Sequence, residues 1–290
     1  MAEIRIAGVM RAGAFSPNHI GNDAAIFNLT AEALRKRGVE VNVYSEEEFL
    51  KARIDEPVVM DMCRELESVA KLKTLEDNGK LVINSGYGIE NCTRERMTRL
   101  LVGNGVPYPE SLIVDTNENV RSAMKNGGFD KVWIKRGDSH SKHKEDVSYC
   151  RHPEEAQEML HEYFYRGIKR AVINRHLPGD LIKFYGIVGS DYFYHFYPMD
   201  MGHSKYGYEL INGEAAQIPF DEDYLRKICN RAAEVLGVKI YGGDCIVDPD
   251  GSIRIIDLND WPSFAPCRKE ASKEIAKAIL AECKQRKIGR

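Results

Sequence analysis

Asp244, Asp257 and Asn259 are the side chains whose types and spacing first suggest chemistry. They lie within residues 241–268, where apolar runs at 245–247 and 253–256 flank Asp248-Pro249-Asp250-Gly251, four residues suited to a tight turn. The pattern predicts a β-hairpin with the oxygen-bearing residues near the ends away from the turn. Strand side chains alternate, so Asp257 and Asn259 share a face. A two- or four-residue loop sets Asp244 opposite Ile255 and on that face. A three-residue loop with Gly251 left-handed slips the register by one and turns Asp244 away. The sequence leaves both registers open. Three hard oxygen donors at one end of a hairpin suit Mg²⁺, which takes one or two protein carboxylates and leaves positions for phosphate oxygens. Solvated strand-end residues would leave the same pattern.

Other candidates sit in polar loops. Arg11, Ser16, Asn18 and His19 belong to a stretch, 11–21, that follows an apolar run, the place where ligands meet the carboxyl end of a parallel strand. With only Gly13 and Gly21 it carries no dinucleotide fingerprint. Residues 136–146 hold His140, Lys142, His143 and Lys144, a basic loop suited to covering phosphates. His140 and His143 would share a metal only on a helix, which the neighbouring Ser, Asp and Lys disfavour. For both loops a solvated connection is the alternative. The seven cysteines are odd in number and contain no Cys-x-x-Cys pair, so reduced, mostly buried thiols are expected rather than a zinc site or a disulfide framework. Cys267 has no identifiable histidine partner and is not assigned as a nucleophile.

The chain that must position these groups has 290 residues, enough for two or three lobes and a sizeable core. An apolar fraction of 43% and a charged fraction of 29% describe an ordinary globular protein. Net charge is −3 with Lys and Arg scattered, so nucleic-acid binding has no compositional support. Neither a signal-peptide pattern nor a run of ~18 apolar residues is found, and the expected location is cytoplasmic, away from membranes.

The first stretch reads as alternating strands and helices. Strands are predicted at 3–10, 39–44, 57–62 and 81–84, with helices at 22–36, capped by Asn22 or Asp23, and at 46–52 and 64–78. This order implies a parallel sheet with helices on its faces. Ser85-Gly86-Tyr87-Gly88 reads as a turn, and 91–102 as a basic amphipathic helix carrying Arg94, Arg96 and Arg99. Extended 111–114, helix 117–126, strand 131–135, strand 147–150 and helix 153–164 follow. Strand 171–175 leads to a hairpin of 181–188 and 192–197, an uncertain loop at 199–217, helix 221–236, the metal-like hairpin, and a closing helix at 269–286.

Together these pieces resemble the ATP-grasp family over most of the chain. Val82-Ile83-Asn84-Ser85, the arginine-rich helix and Gly105-Val106-Pro107-Tyr108-Pro109 look like the entry to that family's nucleotide lobe, with Arg94 where a phosphate-contacting Lys is usual. Arg keeps the charge but recognises phosphate with a planar fork. Val132-Trp133-Ile134-Lys135 resembles the strand whose Lys reaches the α-phosphate and adenine edge. The following stretch, 137–144, departs from the usual glycine-rich flap, having a single glycine. Residues 173–185 are similar to the interlobe hinge and the next strand, and the usual acidic hinge residue is not evident. Gly243-Asp244, Ile256-Asp257-Leu258-Asn259 and Trp261-Pro262-Ser263-Phe264 look like the Mg²⁺-binding strands and the substrate turn.

The resemblance implies an α/β (α+β) ATP-grasp fold: an N-terminal Rossmann-like lobe at 1–88, a central lobe at 89–172, and a C-terminal lobe at 173–290 holding the metal. It implies ATP and Mg²⁺ as cofactors, with Asp244, Asp257 and Asn259 as metal ligands. Arg94, Lys135, Lys142, Asn174, Arg175, His176, Asp180 and Lys183 would contact the nucleotide, Lys183 and Arg94 acting at the transferring phosphate. Arg11, Asn18, His19, Asp260, Ser263 and Arg268 are the acceptor candidates by position. The expected activity is ATP-dependent joining of a small carboxylate to an amine through an acyl phosphate. A small-molecule kinase is the alternative, since Asp-Leu-Asn-Asp-Trp-Pro-Ser-Phe also resembles ATP-grasp inositol polyphosphate kinases. A non-catalytic nucleotide-binding protein is a third reading. The expected partner is a small-molecule substrate, and many relatives form homodimers.

Overall fold

The computed structural model describes residues 4–15, 20–138, 144–198 and 211–289. Strands β1 (Arg5–Val9), β2 (Glu40–Tyr44), β3 (Val58–Asp61) and β4 (Leu81–Ile83) form a wholly parallel sheet in the order β2-β1-β3-β4. Helices α1 (Ile20–Arg35), α2 (Glu46–Lys51) and α3 (Leu66–Asp77) supply the crossovers, as the alternating pattern predicts. Ser45 starts α2 through a reciprocal capping box with Glu48. Asn22 and Asp23, expected as caps, instead lie inside the first turn of α1, where Asp23 pairs with Arg11 and Asn22 accepts from Arg268.

A second sheet is antiparallel: β5 (Ser111–Asp115), β6 (Val132–Arg136), β7 (Val147–Cys150) and β8 (Arg170–Arg175), ordered β5-β8-β6-β7. Helices α6 (Arg121–Gly127) and α7 (Pro153–Tyr165) share a core with it through Met124, Leu160 and Tyr163. The third sheet, also antiparallel, orders β9 (Asp180–Ile187), β10 (Phe193–Phe196), β11 (Ile240–Val247) and β12 (Ile253–Asp260) as β10-β9-β11-β12. Helix α8 (Glu222–Leu236) is capped by Asp221 and packs Leu225, Cys229 and Leu236 into that sheet's core. All seven cysteines are free and buried. No helix among the described residues is long and apolar enough to cross a membrane.

Two departures from the sequence reading bear on function. Ser85–Gly88 is not a turn: Ser85 caps α4 (Gly86–Asn91), and the next helix, α5, spans Arg94–Gly103. The basic segment is therefore broken at Cys92 and Thr93, which sets Arg94 at the first helical position. The closing helix α9 (Arg268–Gln285) packs on α1, so Ala271, Ile275 and Ile279 share a core with Ile6, Ile26 and Leu34 of the parallel sheet's layer. Asn84 ties the same layer to the third sheet: its Oδ1 accepts from the Lys239 and Ile240 amides, both at 2.9 Å, and its Nδ2 donates to Ile240 O at 2.7 Å.

Candidate active site

Across the third sheet Lys183, Asp244 and Asp257 stand directly opposite one another on β9, β11 and β12. Neighbours opposed in this way share a face. Lys183 Nζ donates to Asp244 Oδ1 at 2.9 Å, each side chain a fifth to a quarter exposed. The turn is the three-residue kind: Asp248 N donates to Ser252 O and Gly251 N to Asp248 O, both at 2.8 Å, with Gly251 at φ 81°. By itself that loop would turn Asp244 away. A β-bulge between Cys245 and Asp244 absorbs Ile256 as an extra residue, so Cys245 pairs with Ile255 but Asp244 pairs with Asp257. Neither uninterrupted register read from the sequence is formed, yet Asp244 shares the face of Asp257. Asn259 sits opposite Gly242, and its Nδ2 reaches Asp257 Oδ2 at 3.5 Å.

Two cations from other elements complete the cluster. Arg94 Nη2 donates to Asp257 Oδ2 at 2.8 Å, with the Arg94 side chain only 7% exposed. Its Nε and Nη1 are buried without a hydrogen-bond partner. Lys135, on β6, donates from Nζ to Ile256 O at 2.9 Å, using the carbonyl of the bulge residue. Burial lowers its pKa to about 8, Asp257 opposing the fall and Arg94 adding to it. Among the described residues no three His, Cys, Asp or Glu side chains form a metal cluster, so any cation here would rest on two carboxylates and an amide. That oxygen-only donor set suits Mg²⁺ completed by phosphate oxygens. The two orphaned Arg94 nitrogens are donors that an anion would satisfy, since a buried donor left unmade costs about 1–3 kcal/mol. The residues present fit a Mg²⁺–nucleotide.

The hinge candidates separate. Asn174, buried on β8, faces Trp133 across the strands, and its Nδ2 donates to Ser111 Oγ at 2.7 Å. Trp133 is two residues from Lys135 on β6 and so shares its face. Trp133 Nε1 donates to His176 Nδ1 at 3.2 Å, and Tyr149 lies 5.2 Å from the Trp133 ring and 5.1 Å from the His176 ring. Burial, then Lys131, lowers the His176 pKa. The sequence does not single out Trp133 or Tyr149 as site residues; the alternation Trp133-Ile134-Lys135 is the signal that places Trp133 beside Lys135. Arg175 instead pairs with Glu110 and donates to the Gly127 and Gly128 carbonyls. Asp180 spends both oxygens on the Ala216 and Ile218 amides, each at 2.7 Å. Lys142 lies outside the described residues.

The acceptor candidates converge in part. Arg11 Nη1 donates to Asp23 at 3.0 Å, and Arg11 Nη2 lies 3.6 Å from Asp260 Oδ2. Arg64, which the sequence reading placed at a helix start, meets Asp260 Oδ1 at 3.1 Å. Its signal was its place beyond the carboxyl end of β3, matching that of Arg11 beyond β1. Arg268 reaches Asn22 Oδ1 at 2.8 Å and the Ser263 carbonyl at 3.4 Å. Asn18 and His19, like Ser16, His140 and His143, lie outside the described residues.

No protein-family model matches the chain, and no curated protein sequence matches it. Solved structures do. D-alanine–D-alanine ligase from Bacillus anthracis, complexed with ATP, aligns over 96% of both chains with a TM-score of 0.68 at 14% identity. A RimK domain ATP-grasp protein from Sphaerobacter thermophilus gives 0.68 at 17% identity, covering 95% of this chain and 99% of its own. The ATP-grasp ligase PsnB, complexed with a minimal precursor, gives 0.62 at 18% identity, covering 97% and 99%. These likenesses define the class by architecture: the chain has the ATP-grasp fold, as its motifs led one to expect.

Proposed function

We propose that this chain is a Mg²⁺-ATP-dependent ligase that joins a small carboxylate to an amine through an acyl phosphate, working from lobes at 1–88, 89–172 and 173–290. The observation that carries the reading is the row Lys183–Asp244–Asp257, closed by Arg94 and Lys135, on an ATP-grasp fold. The ligases of similar architecture include one complexed with ATP and one with a peptide precursor and AMPPNP.

Asp244, Asp257 and Asn259 would hold Mg²⁺, which when bound supplies charge neutralisation at the phosphate oxygens. Lys183 and Arg94 would exchange their present carboxylate partners for phosphate oxygens, and Arg94 brings two further donor nitrogens, Nε and Nη1, without a hydrogen-bond partner. Lys135 would offset charge nearer the α-phosphate, with Lys142 from the basic loop. Asn174, Arg175, His176 and Asp180 frame the base and ribose side, Arg175 and Asp180 through the segments they hold in place. Ser263 and Arg268, with Asn18 and His19, are proposed on the acceptor side. Catalysis in this scheme is positioning and charge compensation. A carboxylate acceptor needs no general base.

The test is product analysis of the full chain with Mg²⁺-ATP and pooled metabolites. ADP with free phosphate and a new amide is the expected result. A phosphorylated metabolite without free phosphate would make the protein a kinase. Tight ATP binding without turnover would leave only a nucleotide-binding role.

A further inference from the structure

The end of β12 is held from outside its own sheet. Beyond Asn259 the strand finishes at Asp260, whose side chain is 1% exposed. Arg64 Nη2 donates to the Asp260 carboxylate at 3.1 Å and to its carbonyl at 3.4 Å. Arg11 Nη2 donates to the next carbonyl, Trp261 O, at 3.1 Å and approaches the Asp260 carboxylate at 3.6 Å. Both guanidiniums are nine-tenths buried or more. They come from separate loops of the parallel sheet, beyond the carboxyl ends of β1 and β3. Those two loops are bound to each other by Glu46, at the start of α2, whose carboxylate accepts from Ala12 N at 2.8 Å, Arg64 N at 3.3 Å and Glu65 N at 3.1 Å.

Two guanidiniums, each donating through Nη2 from a loop that Glu46 ties to the other, define the position of a short backbone segment more tightly than either contact alone. The segment they fix begins one residue after Asn259 and three after Asp257. We infer that Arg11 and Arg64, braced by Glu46, are positioning residues that hold the metal-binding end of β12 in place. The inference rests on the Mg²⁺-nucleotide reading of Asp257 and Asn259. It gives Arg11 and Asp260 a different task from the acceptor contact their sequence positions suggest: their charges are taken up in the clamp. It also makes the parallel-sheet lobe part of the metal site without contributing a ligand to it.

The experiment measures binding rather than turnover. Mn²⁺ is titrated by electron paramagnetic resonance into the full chain with a non-hydrolysable ATP analogue, for wild type, Arg64→Lys, Arg11→Lys and Glu46→Gln. Affinity for the analogue without divalent metal and the melting temperature are measured alongside. The expected result is Mn²⁺ affinity lowered about tenfold, the size of loss seen when supporting partners of ligands are removed, with metal-free nucleotide affinity unchanged. Should one variant fail to fold, the others carry the same expectation, Glu46→Gln leaving both arginines charged. A lowered melting temperature with wild-type Mn²⁺ affinity would overturn the inference and leave a purely structural clamp. Equal loss of nucleotide and metal affinity would overturn it too, since the arginines would then act on the nucleotide. A wild-type protein that binds no Mn²⁺ with the analogue would overturn the Mg²⁺-nucleotide reading itself, and the inference with it.

Discussion

Asp244 and Asp257 face each other across β11 and β12 only because Ile256 is an extra residue between Ile255 and Asp257. The bulge has a second consequence. The carbonyl it displaces from the regular pairing, Ile256 O, receives Lys135 Nζ from the other antiparallel sheet at 2.9 Å. One inserted residue thus sets the carboxylate pair and gives the cation above it an anchor, which is the use to which bulges are often put near functional sites.

Asp257 also neutralises Arg94, and that pair is nearly buried. Asp257→Ala would remove a proposed metal ligand and strand a buried guanidinium, a loss of about 3–5 kcal/mol for a broken buried pair. Asp257→Asn keeps the shape and one acceptor oxygen. It is expected to abolish Mg²⁺-ATP turnover while the circular dichroism spectrum stays native, with the alanine variant less stable than the asparagine variant. Near-normal turnover in Asp257→Asn would remove Asp257 from the metal site.

Gly243 precedes Asp244 on β11, opposite Leu258 of β12, and has no room for a side chain. A Cβ there would come within 2.1 Å of Asp257 O and 2.7 Å of Phe184 Cζ. Backbone cannot yield cheaply, so Gly243→Ala is expected to lose at least about 1–3 kcal/mol of stability and to shift Asp257. Gly251→Ala, in the turn at φ 81° with Pro219 O at 3.1 Å, should lose about 1–2 kcal/mol from the left-handed backbone and leave the site intact. Chemical denaturation gives the first comparison and Mg²⁺-dependent ATP binding the second.

Much of this architecture is legible in the residue types. Alternating strands and helices mark the parallel layer, and turn residues mark both hairpins. The bulge is not legible, because absorbing Ile256 changes no residue type in the apolar run 253–256. The break before Arg94 is hidden because amphipathic spacing continues through Cys92 and Thr93. Arg64 is not legible because the pattern counts it as the first residue of a helix at 64–78, whereas the helix begins at Leu66 and leaves Arg64 in the loop after β3. Asp180 and Arg175 carry the charges expected of ligand contacts, yet their partners, two backbone amides for Asp180 and the Glu110 carboxylate with two carbonyls for Arg175, are distant in sequence, and such pairing follows only from the fold.

Asp180 offers a separate measurement. Its two oxygens hold the Ala216 and Ile218 amides against the start of β9. Asp180→Ala is expected to lose at most about 1–3 kcal/mol, the cost of one amide left buried and unpaired, since Ala216 is exposed and Ile218 half-buried. If its work is structural, ATP and 2′-deoxy-ATP will bind Asp180→Asn in the same affinity ratio as wild type. A ratio that collapses toward one in the variant would return Asp180 to the ribose.

Lys135 predicts a pH dependence with opposite signs for stability and binding. Its pKa falls from 10.5 to about 8, first through burial, with Asp257 raising it and Arg94 lowering it. Between those values the unfolded chain binds a proton that the folded chain has released, so this residue's contribution to stability rises with pH across the window. Below about pH 8 the lysine is charged in both states and the burial penalty is fully present. Nucleotide binding, as proposed here for Lys135, draws on that charge. Affinity for an ATP analogue, measured without divalent metal, is therefore expected to weaken as pH rises through about 8. In Lys135→Met the affinity should be lower throughout and flat over the same range, while the unliganded variant gains stability at neutral pH. Calorimetric titrations from pH 7 to pH 9.5, a range of about one unit or more either side of the shifted value, decide it. An unchanged slope in Lys135→Met would assign the dependence to another group.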